Sequence, residues 1–268
     1  MASIDLHPSE LAYAFSYSRT EAVIGWGSAP FLPEPGADGD PADWLLDGEA
    51  RLRAAGRLTG TPEAGLNFTE EMASAILALA DPGLVLLAQR KEGDGMRTLT
   101  VHAAGDTFAG LLRRPDGMFE LTRYADLTAA AGAGASFVGA ALAPAGHESR
   151  IEANMKVLGR LKQLAGAGAA DKVVAALVRL GAAEADARSA ALALARPAAA
   201  GVLSVLYCAA NEVGDAEPFS VMTDAEDRTW IVFPPAGPEG PVILERSSAG
   251  ALAARIAVGV AARLAAQS

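Results

Sequence analysis

Three histidines are the side chains of this 268-residue sequence best suited to acid–base or metal chemistry. Of His7, His102 and His147, only His7 has a carboxylate, Glu10, at a spacing that can place both groups on one face of a helix. A metal site needs further ligands beside such a pair, so the pattern favours an ordinary surface pair. His102 lies in a predicted strand, where we expect a half-exposed histidine rather than a catalytic base.

The single cysteine, Cys208, excludes a disulfide within this sequence and any site built from several thiolates. It lies in the apolar run 203–210, which predicts a buried strand. We therefore interpret it as a small core residue rather than a nucleophile. A lone free thiol is typical of a reducing compartment.

Three short motifs resemble binding or catalytic sites without completing them. Gly166-Ala-Gly168 follows a predicted helix, whereas a dinucleotide fingerprint follows a strand, so it predicts a linker. Gly134-Ala-Ser136 lacks the second glycine of a nucleophile elbow. The acidic run 38–43 has Ala42 where a calcium loop needs a ligand, and it predicts a loop leading into a helix capped by Asp43. We therefore predict no catalytic residue, cofactor or metal ligand.

Composition and charge narrow the class of protein. With 51% hydrophobic and 20% charged residues, the sequence predicts a folded protein. The net charge of −10, with acidic residues concentrated in residues 1–50, argues against a nucleic-acid partner. The first residues lack the basic and apolar pattern of a signal peptide, and the uncharged stretch 127–146 is mostly Ala and Gly. These features predict a cytoplasmic protein without membrane insertion.

A repeated motif indicates an internal duplication. Residues 74–82 read Ser-Ala-Ile-Leu-Ala-Leu-Ala-Asp-Pro and residues 189–197 read Ser-Ala-Ala-Leu-Ala-Leu-Ala-Arg-Pro, with seven of nine positions identical. The flanking order of elements supports the match, since each half predicts two helices, four strands and a closing helix. The predicted helices are 43–56, 70–80 and 125–142, then 171–181, 185–195 and 248–266. The predicted strands are 84–89, 98–103, 107–112 and 118–123, then 202–208, 219–223, 229–233 and 242–245.

This order predicts an α+β fold in which two helix-helix-antiparallel meander-helix units are related by a pseudo-twofold axis. Their strands form a central antiparallel sheet flanked by helices. We expect an amino-terminal segment over residues 1–42, a first repeat over 43–146 and a second repeat over 169–268. Residues 147–168 form a connecting helix, predicted over 148–164, and a linker. The four segments are expected to make one compact domain. The sequence does not decide whether the protein forms a homodimer.

The paired pattern resembles the EspG family of type VII (ESX) secretion-associated proteins. The resemblance spans about residues 43–268 and is carried by Leu52-Arg-Ala-Ala-Gly56, Ile76-Leu-Ala-Leu-Ala-Asp-Pro82, Leu84-Val-Leu-Leu-Ala-Gln-Arg90 and Trp230-Ile-Val-Phe-Pro234. It implies a non-catalytic, cytosolic chaperone that recognises PE–PPE substrate pairs, keeps them soluble and addresses them to the secretion machine.

Our leading hypothesis is therefore an adaptor that binds a helical secreted protein, or protein pair, across its sheet and a neighbouring helical group. We expect the strand-to-strand loop 90–96 to contact the partner through Arg90, Lys91 and Met96. Trp230 is most simply a sheet residue packed against a helix, and its alternative, as a further candidate contact, is an anchor at a protein interface. An enzyme with an unrecognised site, built from clustered histidines or aspartates, stays open, as does a winged-helix regulator. The latter requires a basic recognition helix, which residues 66–73 do not offer.

Overall fold

A computed structural model of the chain describes residues 3–33, 40–61, 65–142, 149–235, 237 and 240–266. The α-helices of this part are α1 (Pro8–Ser18), α2 (Pro41–Ala54), α3 (Glu70–Ala80), α4 (Leu127–Phe137), α5 (Met155–Gly166), α6 (Ala170–Arg179), α7 (Glu184–Ala195) and α8 (Ala249–Ala265). The strands are β1 (Ser3–Leu6), β2 (Leu58–Thr61), β3 (Gly65–Phe68), β4 (Leu84–Glu92), β5 (Gly95–Ala104), β6 (Thr107–Arg113), β7 (Phe119–Tyr124), β8 (Arg150–Ala153), β9 (Ala199–Ala209), β10 (Glu212–Thr223), β11 (Thr229–Phe233) and β12 (Val242–Ser247).

The strands form a large antiparallel sheet, in the order β1-β7-β6-β5-β4-β9-β10-β11-β12-β8, and β2 pairs with β3 separately. The predicted α+β class with an antiparallel sheet flanked by helices is therefore confirmed. The helix α3 and the strand β11 have the predicted bounds to the residue. Apart from the β2–β3 hairpin, which interrupts the predicted order between α2 and α3, the helices and strands follow one another as predicted within 43–142 and 169–266. That this order arose by duplication stays a prediction.

The chain divides into two compact units, and the first comprises Met1–Leu86, Thr98–Ala130 and Leu206–Asp215. Its core joins α1, α2 and α3 to the strands β6 and β7. The largest buried side chains of that core are Leu6, Leu11, Phe15, Leu52, Met72, Leu79, Leu111 and Phe119.

The second unit comprises Leu87–Arg97, Ala131–Val205 and Ala216–Ser268. One of its cores places α5, α6 and α7 against the strands β8, β11 and β12. The larger side chains of this core are Ile151, Leu161, Val173, Leu177, Leu194, Trp230 and Leu244.

The predicted connecting helix 148–164 is wrong at its start. Residues 150–153 form β8, which pairs with β12, and the helix α5 begins only at Met155. Asn154 caps α5, since its side chain accepts a hydrogen bond from the Val157 N–H at 2.8 Å. Strand pairing wins over helix here because it buries Ile151 completely in the second core.

The sequence-based prediction omitted β1 and α1 in the amino-terminal segment, and the β2–β3 hairpin between α2 and α3 in the predicted first repeat. His7 caps α1 in a capping box, in which the Glu10 carboxylate accepts from the His7 N–H at 2.7 Å. The predicted Asp43 cap is also wrong, because α2 begins earlier, at Pro41. Its cap is Asp40, whose carboxylate accepts from the Ala42 N–H at 2.9 Å.

Candidate partner-binding surface

The residues 90–96 predicted as a loop form the tip of the β4–β5 hairpin. The strand β4 continues to Glu92 and β5 begins at Gly95, so only Gly93 and Asp94 make the turn. Gly93 has a φ of +59°, which a glycine adopts without strain. Lys91 and Met96 are exposed, and Met96 is 60% exposed. The loop prediction is therefore wrong in structure, although these two candidates do lie on the surface.

Arg90 belongs to a charged cluster around Phe137, the last residue of α4. Its guanidinium donates to the Phe137 carbonyl at 3.2 Å and lies 5.1 Å from the centre of the Phe137 ring. Arg97 lies 5.8 Å from the same ring. Both guanidiniums donate to one oxygen of Glu92, at 3.2 Å each, and these hydrogen bonds, first from Arg97 and then from Arg90, lower the pKa of Glu92. Arg97 and Glu92 were not among the candidates from the sequence. The available signal was their position beside Arg90 on the two strands of the β4–β5 hairpin.

Trp230 has no exposed surface, so it is not part of any contact surface of the free protein. Its indole N–H donates to the Ser189 hydroxyl at 2.9 Å, and Ser189 donates to the Asp224 carboxylate at 3.0 Å. The Arg228 guanidinium donates to the same carboxylate at 2.8 Å. The structure thus places Trp230 in the sheet against α7, which is the simpler interpretation of this residue, so the alternative of an interface contact is wrong.

A solvent-open groove of about 890 Å³ lies between α6 and α7 in the second unit. Its apolar floor includes Val174 and Ala191, while Val178 and Leu192 remain 42% and 51% exposed. Charged side chains flank it, among them Asp171, Arg179, Glu184 and Arg188. Exposed apolar side chains in a groove with a charged rim are typical of a protein-binding surface. The sequence analysis predicted a helix over 171–181 but not the exposed apolar residues of α6 that line the groove.

The two copies of the Ser-Ala-x-Leu-Ala-Leu-Ala motif differ around this groove. Their central leucines, Leu77 on α3 and Leu192 on α7, are both exposed, at 65% and 51%. Leu192 lines the groove next to α6, whereas Leu77, on α3, is not part of it. The second copy of the motif therefore contributes an exposed leucine to this groove, and the first copy does not.

Comparison with solved structures finds the same architecture in a secretion chaperone. The chain is similar to "Structure of the Mycobacterium tuberculosis type VII secretion system chaperone EspG5 in complex with PE25-PPE41 dimer", with a TM-score of 0.61 at 15% sequence identity. The match covers 94% of this chain and 94% of the other. This chain has the EspG fold. No family model and no curated protein matches the sequence.

The resemblance stated from the sequence is thus confirmed at the level of the fold. The match over 94% of the chain exceeds the residues 43–268 that carried the resemblance, so the EspG fold extends into the amino-terminal segment. None of the helices described in this EspG-fold chain combines the length and the apolar composition needed to cross a membrane.

His7 takes part in a cluster that resembles a hydrolytic triad only in composition. Its Nδ1 lies 2.7 Å from the Ser9 hydroxyl, which donates to the Asp47 carboxylate at 2.8 Å. In a triad the imidazole lies between serine and carboxylate, whereas here the fully buried serine lies between the other two. Burial first, and then Arg51, lowers the pKa of His7. This arrangement joins α1 to α2 and leaves no nucleophile in reach of a substrate.

The other candidate residues that the structure describes, Cys208 and Gly168, lie in separate parts of the fold. Cys208 is half-buried, rather than in the core, and burial raises the pKa of its thiol. Gly168, with a φ of +75°, lies in the linker between α5 and α6, as predicted. No group of three His, Cys, Asp or Glu side chains in the described ranges is placed to hold a metal. His147 lies outside the residues that the structure describes.

His102 is completely buried, so the half-exposed position predicted for it is wrong. It pairs across the sheet with Ala109, whose side chain belongs to the first core. Its Nε2 lies 3.0 Å from the Thr100 hydroxyl, which accepts from the Trp26 indole N–H at 2.8 Å. Its Nδ1 has no hydrogen-bond partner among the described residues. Desolvation lowers the pKa of His102 from 6.5 to about 3.

We expect acid to destabilise the protein through His102. In the unfolded chain the imidazole gains a proton below pH 6.5, whereas the buried ring stays neutral down to about pH 3. Its contribution to stability is therefore complete above pH 6.5 and is lost as the pH falls toward 3, by about 2 kcal/mol at pH 5. Chemical denaturation of the wild type and of His102→Gln at pH 7.5 and 5 measures the free energy of unfolding. Between these two pH values the wild type should lose about 2 kcal/mol more of this free energy than the variant does. Equal losses in both proteins would contradict it.

Proposed function

We propose that this EspG-fold protein is a non-catalytic, cytosolic chaperone of a type VII secretion system. It binds the helical end of a secreted protein or protein pair, keeps that partner soluble and delivers it to the secretion machine. The groove between α6 and α7 is the observation that carries the proposal, because Val178 and Leu192 both line it and both stay exposed. The similar EspG5 structure supports it, since that chaperone is in complex with a PE25–PPE41 dimer.

The groove suits a helix that presents apolar side chains at intervals of three and four residues. Val174 and Val178 are one helical turn apart on α6, and Ala191 and Leu192 face them from α7. A partner helix with leucine-sized side chains at its tip would cover this apolar surface, while the flanking charges form a polar rim. The exposed hairpin residues Lys91 and Met96, together with Arg90, provide a second contact element in this proposal.

Placing a charge in the groove should strongly weaken partner binding. In Leu192→Asp the carboxylate would be desolvated under the bound helix, so we expect at least a tenfold loss of affinity, equivalent to about 1.4 kcal/mol or more. The measurement is the amount of helical partner that copurifies with the tagged protein from the native organism, identified and quantified by mass spectrometry.

The matched control is Leu77→Asp, which makes the same change at the equivalent position of the first motif. Since both leucines are exposed, neither variant should change the free energy of unfolding by more than about 0.5 kcal/mol. We expect Leu77→Asp to retain its partner. Equal recovery with both variants, or no secreted helical protein with the wild type, would count against the proposed function.

Light scattering on the purified wild type settles whether it forms the homodimer that the sequence left open.

We also retain the internal duplication as a proposal, with copies over residues 43–146 and 169–268. The element order supports it, since α2, α3, β4–β7 and α4 are followed by α6, α7, β9–β12 and α8, although the β2–β3 hairpin between α2 and α3 has no counterpart between α6 and α7. If it is correct, the groove is a specialisation of the second copy.

A further inference from the structure

The β4–β5 hairpin tip carries more hydrogen-bond donors than its own acceptors can use. Arg90 and Arg97 each have five N–H donors, and together they share one oxygen of Glu92. Arg90 also donates to the Phe137 carbonyl at 3.2 Å, whereas Arg97 donates to Glu92. The Nε of Arg97 is buried and has no partner among the described residues. The pair of guanidiniums is thus only partly satisfied by this carboxylate.

The setting of the pair also favours an anionic ligand. The chain has a net charge of −10, yet the tip residues 90–97 carry Arg90, Lys91 and Arg97 against Glu92 and Asp94, and Arg90 and Arg97 converge on Glu92. The Phe137 ring packs against both guanidiniums, because the central carbons of Arg90 and Arg97 lie 5.1 and 5.8 Å from the centre of the ring. Arginine is one of the residue types enriched among those that dominate binding at protein interfaces. Glu92 is half exposed, so another carboxylate can replace it without unfolding the hairpin.

We propose that the hairpin tip is a carboxylate-binding element, which Glu92 occupies in the free protein. The protein partner displaces Glu92 with an acidic side chain of its own, and this side chain binds Arg90 and Arg97. The inference deepens the proposed function, because it names the chemistry of one contact on the secreted partner. Glu92 then competes with the partner and lowers its affinity.

The test uses a peptide in place of the partner. N-acetylated, C-amidated hexaglutamate is titrated into the full chain, and the Nε–Hε resonance of Arg97 is followed by NMR, with hexaglutamine as the neutral peptide. We expect hexaglutamate alone to shift this resonance. Glu92→Gln should tighten hexaglutamate binding by about two- to fivefold, the usual size of an exposed ion pair, and Arg90→Gln should weaken it by a similar factor.

The matched control is Glu184→Gln, which removes the carboxylate of another exposed pair, Glu184 with Arg188 on α7. It should leave the hexaglutamate titration of Arg97 unchanged. The proposal is overturned if hexaglutamine shifts the resonance equally, or if Glu92→Gln binds hexaglutamate no better than the wild type does. Because the probe is not the natural partner, a failed groove experiment with intact hexaglutamate binding would overturn the proposed function alone.

Discussion

Replacing Trp230 with alanine is expected to lower the free energy of unfolding by about 3–5 kcal/mol, the usual loss for a large aromatic side chain in a core. Trp230 is fully buried among the side chains of α5, α6 and α7, so its removal leaves a cavity that this packed core cannot fill. It also leaves the Ser189 hydroxyl without the indole N–H that donates to it at 2.9 Å. The measurement is denaturant unfolding followed by far-ultraviolet circular dichroism.

Two further variants separate the volume of Trp230 from its hydrogen bond. Trp230→Phe keeps an aromatic ring and should lose less stability than Trp230→Ala. Ser189→Ala keeps the whole indole but leaves its N–H buried and unpaired, which should cost about 1–3 kcal/mol. Since Trp230 lies inside the protein, Trp230→Phe should recover as much partner as the wild type. A loss below about 1 kcal/mol for Trp230→Ala would show that this part of the core is not packed as described.

Gly48→Ala is expected to destabilise the protein by about 3 kcal/mol, although alanine normally favours a helix. Gly48 lies on α2 where that helix crosses α1, and an added Cβ would overlap the Ser9 carbonyl oxygen. That oxygen belongs to the backbone at the start of α1, so it cannot move aside as the end of a flexible side chain would. The two helices would have to separate, and the hydrogen bond from Ser9 to Asp47 would be weakened.

Gly159→Ala is the control for Gly48→Ala, because Gly159 lies inside α5 with nothing within 4 Å of an added Cβ. There the substitution should stabilise the protein by about 0.5–1 kcal/mol, the ordinary preference of a helix for alanine. Denaturation of both variants under one set of conditions measures the difference. If Gly48→Ala were as stable as the wild type, α1 and α2 could not lie as close together as described.

The accuracy of the sequence-based prediction depended on how local the relevant signals were. The helix α3 was predicted to the residue because acidic residues begin it and Pro82 follows it closely. The strand β8 was mistaken for helix because Arg150-Ile-Glu-Ala153 is compatible with either state, and pairing with the distant β12 decides between them. The helix α1 was missed because its capping residue, His7, is not among the usual ones.

The candidate surfaces were predicted less well than the fold. Lys91 and Met96 were placed on the surface correctly, but Arg97 and Glu92 were missed because their importance comes from Phe137, which lies far away in the sequence. The α6–α7 groove was missed for a related reason. Hydrophobic periodicity identifies the face of a helix that enters a core, but not the apolar residues that stay outside it.

The amino-acid sequence by itself determined the class of this protein: an α+β chain with a set order of helices and strands, no recognisable catalytic motif and a charge unsuited to nucleic acid. Only the tertiary structure decided that Trp230 is internal, that Leu192 lines the α6–α7 groove, and that Glu92 bridges two arginines. The physical reason is that caps, turns and periodicity act over a few neighbouring residues, whereas burial and ion pairing depend on which distant segments pack together.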